Sequence, residues 1–272
     1  MEPRCGPYHD GAGSRYARVL ARLAKRFLFF AAALAALYVA GAAFGPLGAA
    51  LAGLALFSVT GLVLILLPRT AHRGFRRGNF RRAGLTYRLL GRLRLDREVR
   101  AALHVSVAAC LLGRERYRDG LTVLAHIDAG VLGESARAAW LNNRAYALAR
   151  SGGDGAQALA DIEEAISLRP DLSGFRHTRG LALLATGRLD DAIRELDAVW
   201  LKGGAGDTSP LLESERCYDL GLAWHRKGER DYAADYFDRA RRAAPDSVWA
   251  TRALAELRPA EGRIPDVLAD LV

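Results

Sequence analysis

The sequence contains six histidines and three cysteines. Histidine and cysteine are common metal ligands, and the cysteine thiolate is also a nucleophile. The cysteines are Cys5, Cys110 and Cys217, and such an odd, widely spaced set forms neither a disulfide framework nor a metal-ligand pair. This pattern is typical of unpaired thiols in a reducing compartment. The histidines are just as scattered, so we predict no metal site. They are His9, His72, His104, His126, His177 and His225.

Neighbouring carboxylates could supply acid–base chemistry, because two adjacent acids can share a proton. The adjacent acids Asp190-Asp191 and Glu163-Glu164 fall at helix starts or exposed helical positions, where a solvated helix face explains them. The phosphate-binding motif G-x-x-x-x-G-K-[ST], the zinc motif H-E-x-x-H and the nucleophile motif G-x-S-x-G do not occur. We therefore predict that the protein is not an enzyme, has no cofactor, and acts by binding.

Charge and hydrophobicity divide the chain into two parts. Residues 1–100 contain 17 Lys and Arg but four acids, whereas residues 101–272 contain 22 basic and 26 acidic residues. The net charge is therefore +13 in residues 1–100, where the long apolar runs also lie, and −4 in the remainder, which gives +9 for the chain. This division predicts a basic membrane-proximal segment followed by a mildly acidic domain.

Two apolar runs, residues 27–45 and 47–67, contain no charged residue and are separated by Gly45-Pro46. A helix needs about 20 apolar residues to cross a bilayer. We predict two transmembrane helices in a tight antiparallel hairpin. A cleaved signal peptide is one alternative, disfavoured because the first run is long and a second follows at once. Two buried soluble helices are the other, disfavoured because neither run has a polar face.

Arginine and lysine flank the hairpin on both sides, whereas its internal turn has no charge. The positive-inside rule therefore predicts that both termini face the cytoplasm, which suggests an integral protein of the bacterial inner (plasma) membrane. The same side chains are expected to contact anionic lipid head groups. The predicted head-group contacts are Arg22, Lys25, Arg26, Arg69, Arg73, Arg76 and Arg77.

The ends of this membrane segment have their own patterns. Residues 1–14 are rich in Gly and Pro and predict a disordered tail, and residues 15–26 have the spacing of a basic amphipathic helix, so the membrane segment is taken as 15–68. Gly41 and Gly45 form a G-x-x-x-G, which favours close helix packing and leaves a homo-oligomer open. Neither run contains Asp, Glu, Lys, Arg or His, which argues against a transporter.

From residue 69 onwards the apolar positions recur three and four apart, in segments separated by Gly, Asp or Pro. This pattern predicts a series of paired helices, and the clearest pair spans 214–247. Small residues there would let the two helices touch, and a proline would end the second. Its spaced positions are Cys217-x2-Leu220-Gly221-x2-Trp224-x8-Ala233-x3-Phe237-x2-Ala240-x4-Pro245.

This spacing resembles the tetratricopeptide repeat, with Cys217 in place of the usual aromatic. The resemblance implies an all-α fold: a right-handed α-solenoid of antiparallel helix pairs over 69–257, following the transmembrane hairpin. Related but weaker patterns predict further repeat units, a capping helix and a C-terminal tail. The predicted units are 64–95, 97–131, 138–171, 173–204 and 214–247, with the capping helix at 247–257, an inserted loop at 203–210 and the tail at 258–272.

The fragment 78–90 matches the turn and second helix of a repeat, so its first helix would overlap the end of the second apolar run. We therefore predict that the repeats begin directly at the membrane helix, without a flexible linker.

By the same resemblance, the first helices of the repeats would line a concave groove that binds a protein or peptide. Amide side chains suit an extended backbone because they both donate and accept hydrogen bonds. The predicted groove residues are Asn142, Asn143, Tyr146, His177, Thr178, Tyr218, Asp219, His225 and Arg226.

The sequence thus predicts a membrane-anchored scaffold or adaptor that binds a protein partner at the cytoplasmic face. The alternative is a nucleic-acid-binding or anionic-lipid-binding protein that uses the Arg-rich segment 69–100, which contains eleven arginines. Nucleic acid is disfavoured, because the positive-inside rule already accounts for most of these arginines.

Overall fold

The computed structural model describes residues 11–172, 174–203 and 209–257, and the side chains of 31–172, 174–198 and 209–257. Every regular element in these ranges is helical, which confirms the all-α prediction for them. A π-helical turn at Leu62–Leu66 and a 3-10 turn at Ala129–Val131 accompany the α-helices. The helices are α1 Gly11–Gly61, α2 Leu67–Arg76, α3 Phe80–Leu93, α4 Arg97–Leu112, α5 Tyr117–Ala125, α6 Glu134–Ser151, α7 Gly155–Leu168, α8 Gly174–Ala185, α9 Leu189–Gly203, α10 Pro210–Lys227, α11 Arg230–Ala243 and α12 Val248–Leu257.

The chain forms two compact units, Met1–Arg114 and Glu115–Val272. The boundary separates α4 from α5, so the repeat unit expected at 97–131 is divided between them. The predicted tails at 1–14 and 258–272 lie largely outside the described residues, as does most of the expected loop at 203–210. Residues 11–14 were expected in the disordered tail but are helical. Extending an existing helix by a few residues costs little compared with starting one.

Within the first unit, the apolar segment folds back on itself at Gly45, which has φ 68° and ψ −166°. A Cβ atom at Gly53 would lie 3.5 Å from Cδ2 of Leu37, and one at Gly41 would lie 3.4 Å from Cβ of Ala49. In a straight helix, residues 16 apart would be about 24 Å apart. The contact therefore requires two antiparallel helices, and small residues allow their backbones to approach closely.

The second apolar helix continues without a break into the first helix pair. The π-helical turn joins it to α2, and the residues at both junctions keep right-handed helical angles. The whole segment Ala31–Arg76 is long and apolar enough to cross a membrane, a criterion that a buried core helix or a signal sequence also meets. None of its most apolar 18-residue stretch is buried within the structure.

The helices α2, α3 and α4 share one hydrophobic core. Ala71, Ala83, Leu90 and Cys110 are buried in it, and the tight turn between α2 and α3 uses Gly78 at φ 77°. A side chain rarely adopts that backbone angle, which explains the glycine. The apolar helix therefore enters the first helix pair directly.

The second unit consists of α5 followed by the helix pairs α6/α7, α8/α9 and α10/α11 and the terminal helix α12. The glycines of the repeat pattern mark close approaches within two pairs. A Cβ atom at Gly221 would lie 2.5 Å from the ring of Phe237, and one at Gly180 would lie 2.7 Å from Leu196. Since real Cβ contacts of that length do not occur, these positions require glycine for the observed packing.

Helix α12 covers the end of the last pair. Its Trp249 is buried, and the ring centroid lies 5.6 Å from that of Tyr218 in α10. Cys217, which stands where the repeat pattern usually has an aromatic residue, is buried in the same cluster. The terminal helix thus buries apolar surface that the last pair would otherwise expose, as the ends of repeat arrays require.

Candidate functional site

The first helices of the three pairs, α6, α8 and α10, direct polar side chains towards one another. We call the set Tyr146, Arg150, His177, Glu215 and Asp219 the inner-face network. Three of these residues belong to the groove predicted from sequence. The other two, Arg150 and Glu215, were missed.

Helical spacing explains why these side chains share a face. Tyr146 and Arg150 are four residues apart on α6, and Glu215 and Asp219 are four apart on α10, so each pair projects from one side of its helix. His177 lies on α8, which is the first helix of the pair between the α6/α7 and α10/α11 pairs in the chain. Two carboxylates four residues apart on an otherwise buried helix face, such as Glu215 and Asp219, need a cationic partner, because burying unpaired charges is costly. This spacing is the sequence signal that could have indicated Arg150.

Arg150 is the centre of this network. Its Nη1 donates to Oδ1 of Asp219 at 2.6 Å, and its Nη2 donates to Oδ2 of Asp219 and to Oε1 of Glu215, both at 2.7 Å. Tyr146 donates from its hydroxyl to the same oxygen of Glu215 at 2.6 Å, and His177 Nε2 lies 3.0 Å from Oδ2 of Asp219. The fork geometry of the guanidinium suits this bridging of two carboxylates.

The network is closed to solvent. The Arg150 and Glu215 side chains are 9% and 8% exposed, and the Asp219 side chain is fully buried. Burying ions is costly unless they are paired and hydrogen-bonded, and here each carboxylate has both. One guanidinium faces two carboxyl groups, and His177 is the other possible cation beside them.

Burial and charge pairing change the ionisation of these groups in opposite ways. Burial alone would lower the pKa of Arg150, but the Asp219 and Glu215 carboxylates outweigh it and hold that pKa well above its usual value. Burial alone would raise the pKa of Asp219, but Arg150 and the hydrogen bond from His177 hold it below its usual value. Burial and the Glu215 carboxylate raise the pKa of Tyr146 well above its usual range. These shifts keep Arg150 and Asp219 charged and Tyr146 protonated at neutral pH.

Aromatic and charged side chains of α12 cover the network. The Arg150 guanidinium lies 4.3 Å from the centroid of Trp249, and that of Arg252 lies 4.9 Å from the same ring. Arg252 also donates to Glu115, just before α5, at 3.0 Å. The two ends of this unit are therefore linked across its inner face.

Three potential metal ligands, His177, Glu215 and Asp219, have ligand atoms within 4.8 Å of one another. The Arg150 guanidinium already donates to both carboxylates of this set. A cation bound to those oxygens would have to displace a buried arginine and leave its charge unpaired. The donor set therefore fits an internal ion-pair network rather than a metal centre.

The remaining predicted groove residues differ in exposure. Thr178 and Tyr218 are buried, so neither offers surface to a partner, and the same holds for Asp219 in the network. In this structure these three side chains are therefore not accessible to a partner: Arg150 of α6 pairs with Asp219, and Trp249 of α12 packs on Tyr218. Asn142 and Asn143 are half-buried, and His225 and Arg226 are exposed. Arg226 donates to the carbonyl oxygen of Leu184 at 3.1 Å.

The predicted lipid contacts fall in the first unit. Arg69, Arg73, Arg76 and Arg77 are exposed at the end of the apolar helix and in α2. The side chains of Arg22, Lys25 and Arg26, in α1, lie outside the described part of the chain.

The two described cysteines lack the environment of a nucleophile. Burial raises the pKa of the Cys110 thiol to about 11. Burial and the neighbouring Glu213 raise the pKa of the Cys217 thiol to about 12. Both thiols therefore stay protonated at neutral pH, when the reactive form would be the thiolate.

Neither a scan of protein-family models nor a search of curated proteins finds a match. Among solved structures, the chain is similar to a thermophilic TPR protein from Thermus thermophilus, with 18% identity and a TM-score of 0.48 over 70% of this chain and 97% of that one. It is also similar to BtubC from P. vanneervenii, with 17% identity and a TM-score of 0.48 over 84% of this chain and 92% of the other. A third similar structure is YrrB, a TPR protein with an unusual peptide-binding site, with 17% identity and a TM-score of 0.40 over 70% and 91% of the two chains.

Proposed function

We propose that this protein is a membrane-anchored helical-repeat scaffold that binds a protein partner at the cytoplasmic face. The observation that carries the scaffold assignment is the inner-face network: its chemically capable groups are buried and paired with one another. Such a network stabilises an arrangement of helices and offers no free acid, base or nucleophile to a substrate.

The membrane assignment is supported by apolar side chains that no other described residue covers. Tyr38, Phe44 and Phe57 are 77–79% exposed, and they lie in the two apolar runs, which contain no charged residue. A large apolar surface in water would be strongly unfavourable, whereas a bilayer core accommodates it. A buried core helix would instead be covered by its own protein.

Topology is testable with single cysteines and a membrane-impermeant maleimide. Leu47→Cys lies beside the hairpin turn, and Tyr232→Cys lies on α11 in the second unit; both native side chains are exposed. We expect labelling at position 47 in intact spheroplasts and labelling at position 232 only in inverted membrane vesicles. Labelling of position 232 from outside, or a mature chain that lacks residues 1–45 in mass spectrometry, would contradict the proposed anchor.

Partner binding is proposed for the accessible part of the inner face, at Asn142, Asn143, His225 and Arg226. The half-buried amides can donate to the carbonyl oxygens of a peptide, and the exposed basic pair can bind acidic side chains. A photo-crosslinking residue at 142 or 225 should capture a specific protein in cells, whereas one at Tyr232 on α11 serves as the exposed control. Equal capture from all three positions, or none from 142 and 225, would count against this surface.

A further inference from the structure

We propose that the C-terminal end of α3, with the loop that follows it, forms a second membrane contact in which leucines enter the bilayer interface and arginines bind anionic head groups. This inference rests on the proposed membrane anchor and extends it to a surface outside the apolar hairpin. The surface consists of Leu89, Leu93, Leu95, Arg88 and Arg92, and we call it the α3 contact surface.

The exposed face of α3 combines apolar and basic residues. Leu89 and Leu93 are four residues apart and are 47% and 49% exposed, and Leu95 in the following loop is 63% exposed. Arg88 and Arg92 alternate with them on the same exposed face. Contiguous exposed leucines are unusual on a water-facing helix and mark a site of interaction.

Charge favours an anionic occupant. The guanidinium groups of Arg81, Arg82, Arg88 and Arg92 have no ion pair within the described part of the chain, although most arginines of the second unit do. An amphipathic face with leucines between unpaired arginines is typical of segments that lie in the head-group region of anionic membranes. Nucleic acid would use the arginines but would leave the leucines in water.

The position of α3 relative to the apolar helix favours a membrane as the partner of this surface. A Cβ atom at Gly74 would lie 3.7 Å from Cβ of Ala83, and the rings of Phe75 and Phe80 meet at 5.3 Å, so α2 and α3 are antiparallel. This register brings Leu90 level with Leu67, the last residue of the apolar run, and both belong to one hydrophobic cluster. The end of α3 therefore lies at the height where the apolar helix leaves the bilayer.

The geometry predicts a gradient of depth along α3. The helix rises about 1.5 Å per residue, so Leu85 would lie about 12 Å farther from the bilayer than Leu93 along the helix axis. Leu85 is itself exposed and apolar, which makes it a matched control of the same residue type on the same helix. Only the α3 end that points towards the apolar run should contact lipid.

The test uses the full chain, with a single fluorescent label on an introduced cysteine, reconstituted into phosphatidylcholine vesicles with or without phosphatidylglycerol. Labels at 93 and 95 should be quenched by nitroxide lipids and shielded from iodide, a label at 89 should be quenched less, and a label at 85 should remain open to iodide. The label at Leu254 on α12 is the exposed control in the second unit, and one at Phe57 in the hairpin reports the anchor itself.

Three results would overturn the proposal. Iodide access at 89, 93 and 95 equal to that at 254, with lipid quenching retained at 57, would refute the α3 contact surface and leave the anchor intact. Loss of lipid quenching at 57 as well would refute the anchor, and the α3 proposal with it. Water-exposed labels at 93 and 95 together with a salt-sensitive shift of duplex DNA would assign the arginines to nucleic acid instead.

The head-group component is tested by charge reversal. Replacing both Arg88 and Arg92 by Glu should reduce the lipid quenching at position 93 at least twofold in vesicles that contain phosphatidylglycerol. Arg118→Glu, at an exposed arginine on α5, should leave it unchanged. Equal quenching in the double variant and the wild type would refute the role of the arginines.

Discussion

Replacing Arg150 by methionine is the sharpest test of the inner-face network. The change keeps much of the side-chain volume but leaves Glu215 and Asp219 without their shared cation in a buried site. Removing one partner of a buried ion pair typically costs about 3–5 kcal/mol. Since 1 kcal/mol corresponds to a shift of roughly 2–4 °C in a domain of this size, we expect the melting temperature to fall by about 6–20 °C.

Tryptophan fluorescence is a suitable assay, because the four tryptophans, Trp140, Trp200, Trp224 and Trp249, all belong to the second unit. Thermal unfolding of the full chain in detergent, followed at this signal, therefore reports that unit alone. The measurement should be made at neutral pH, where Asp219 is ionised.

Two control variants separate the network from general damage. Arg137→Met removes an exposed ion pair with Glu164 and should cost at most about 1 kcal/mol. Combining Arg150→Met with Glu215→Gln and Asp219→Asn should recover part of the lost stability, because no buried charge is then unpaired. A loss below about 1 kcal/mol for Arg150→Met, or a triple variant less stable than the single one, would refute the reasoning.

Three further predictions follow from buried groups. Because the pKa of Asp219 is lowered in the folded state, its contribution to stability is present above its ordinary pKa of 3.8 and is lost as the pH falls below that value. The free energy of unfolding of Asp219→Asn should therefore lack this part of the acid pH dependence. An unchanged pH profile would contradict the assignment. In a variant that lacks Cys5, Cys110 and Cys217 should not react with a thiol reagent at about pH 8 until the protein is unfolded. Rapid labelling of the folded protein would be incompatible with their burial. Gly221→Ala should destabilise the second unit by about 1–3 kcal/mol in urea unfolding, because the added Cβ would clash with Phe237. Gly174→Ala is the control and should change the stability little, because a Cβ there would meet no neighbouring atom within 4 Å. Similar effects of the two substitutions would argue against the close approach of the helices.

The helix pairs could be predicted from sequence because they depend on local periodicity. Gly180 and Gly221 are required by close contacts between paired helices, and Gly228 is required by the positive φ of its turn. Such contacts recur at fixed spacing, so a single chain suffices to find them. The continuity from the apolar helix into α2 was also predictable. Residues 78–90 match the turn and second helix of a repeat, so the first helix of that repeat must overlap the end of the second apolar run.

The inner-face network could not be predicted in the same way. Arg150 and Asp219 are 69 residues apart, and no local pattern states that α6 and α10 approach each other. Arg150 also stands near the end of α6, where a basic residue is ordinarily explained by the helix dipole. The groove prediction named Tyr146, His177 and Asp219 as partner-binding residues, whereas in the structure these side chains belong to a network with Arg150 and Glu215.

The network also bears on how the second unit unfolds. A repeat array with contacts only between neighbours can open from either end, one repeat at a time. The bonds from Arg150 to Asp219 join the first repeat of this unit to the third, and Trp249 of α12 stacks on the same guanidinium. Opening of α10–α12 would expose the buried charge of Arg150, so both ends of the unit should open together.

Native-state hydrogen exchange measures this coupling. In the wild type, the amides of α6 and those of α10 should exchange with similar opening free energies, because neither end opens without breaking the network. In Arg150→Met, α10–α12 should exchange at least about tenfold faster relative to α6, a difference of about 1.4 kcal/mol. Unequal opening already in the wild type, unchanged by the substitution, would mean that packing between neighbouring helices alone sets the stability of each repeat.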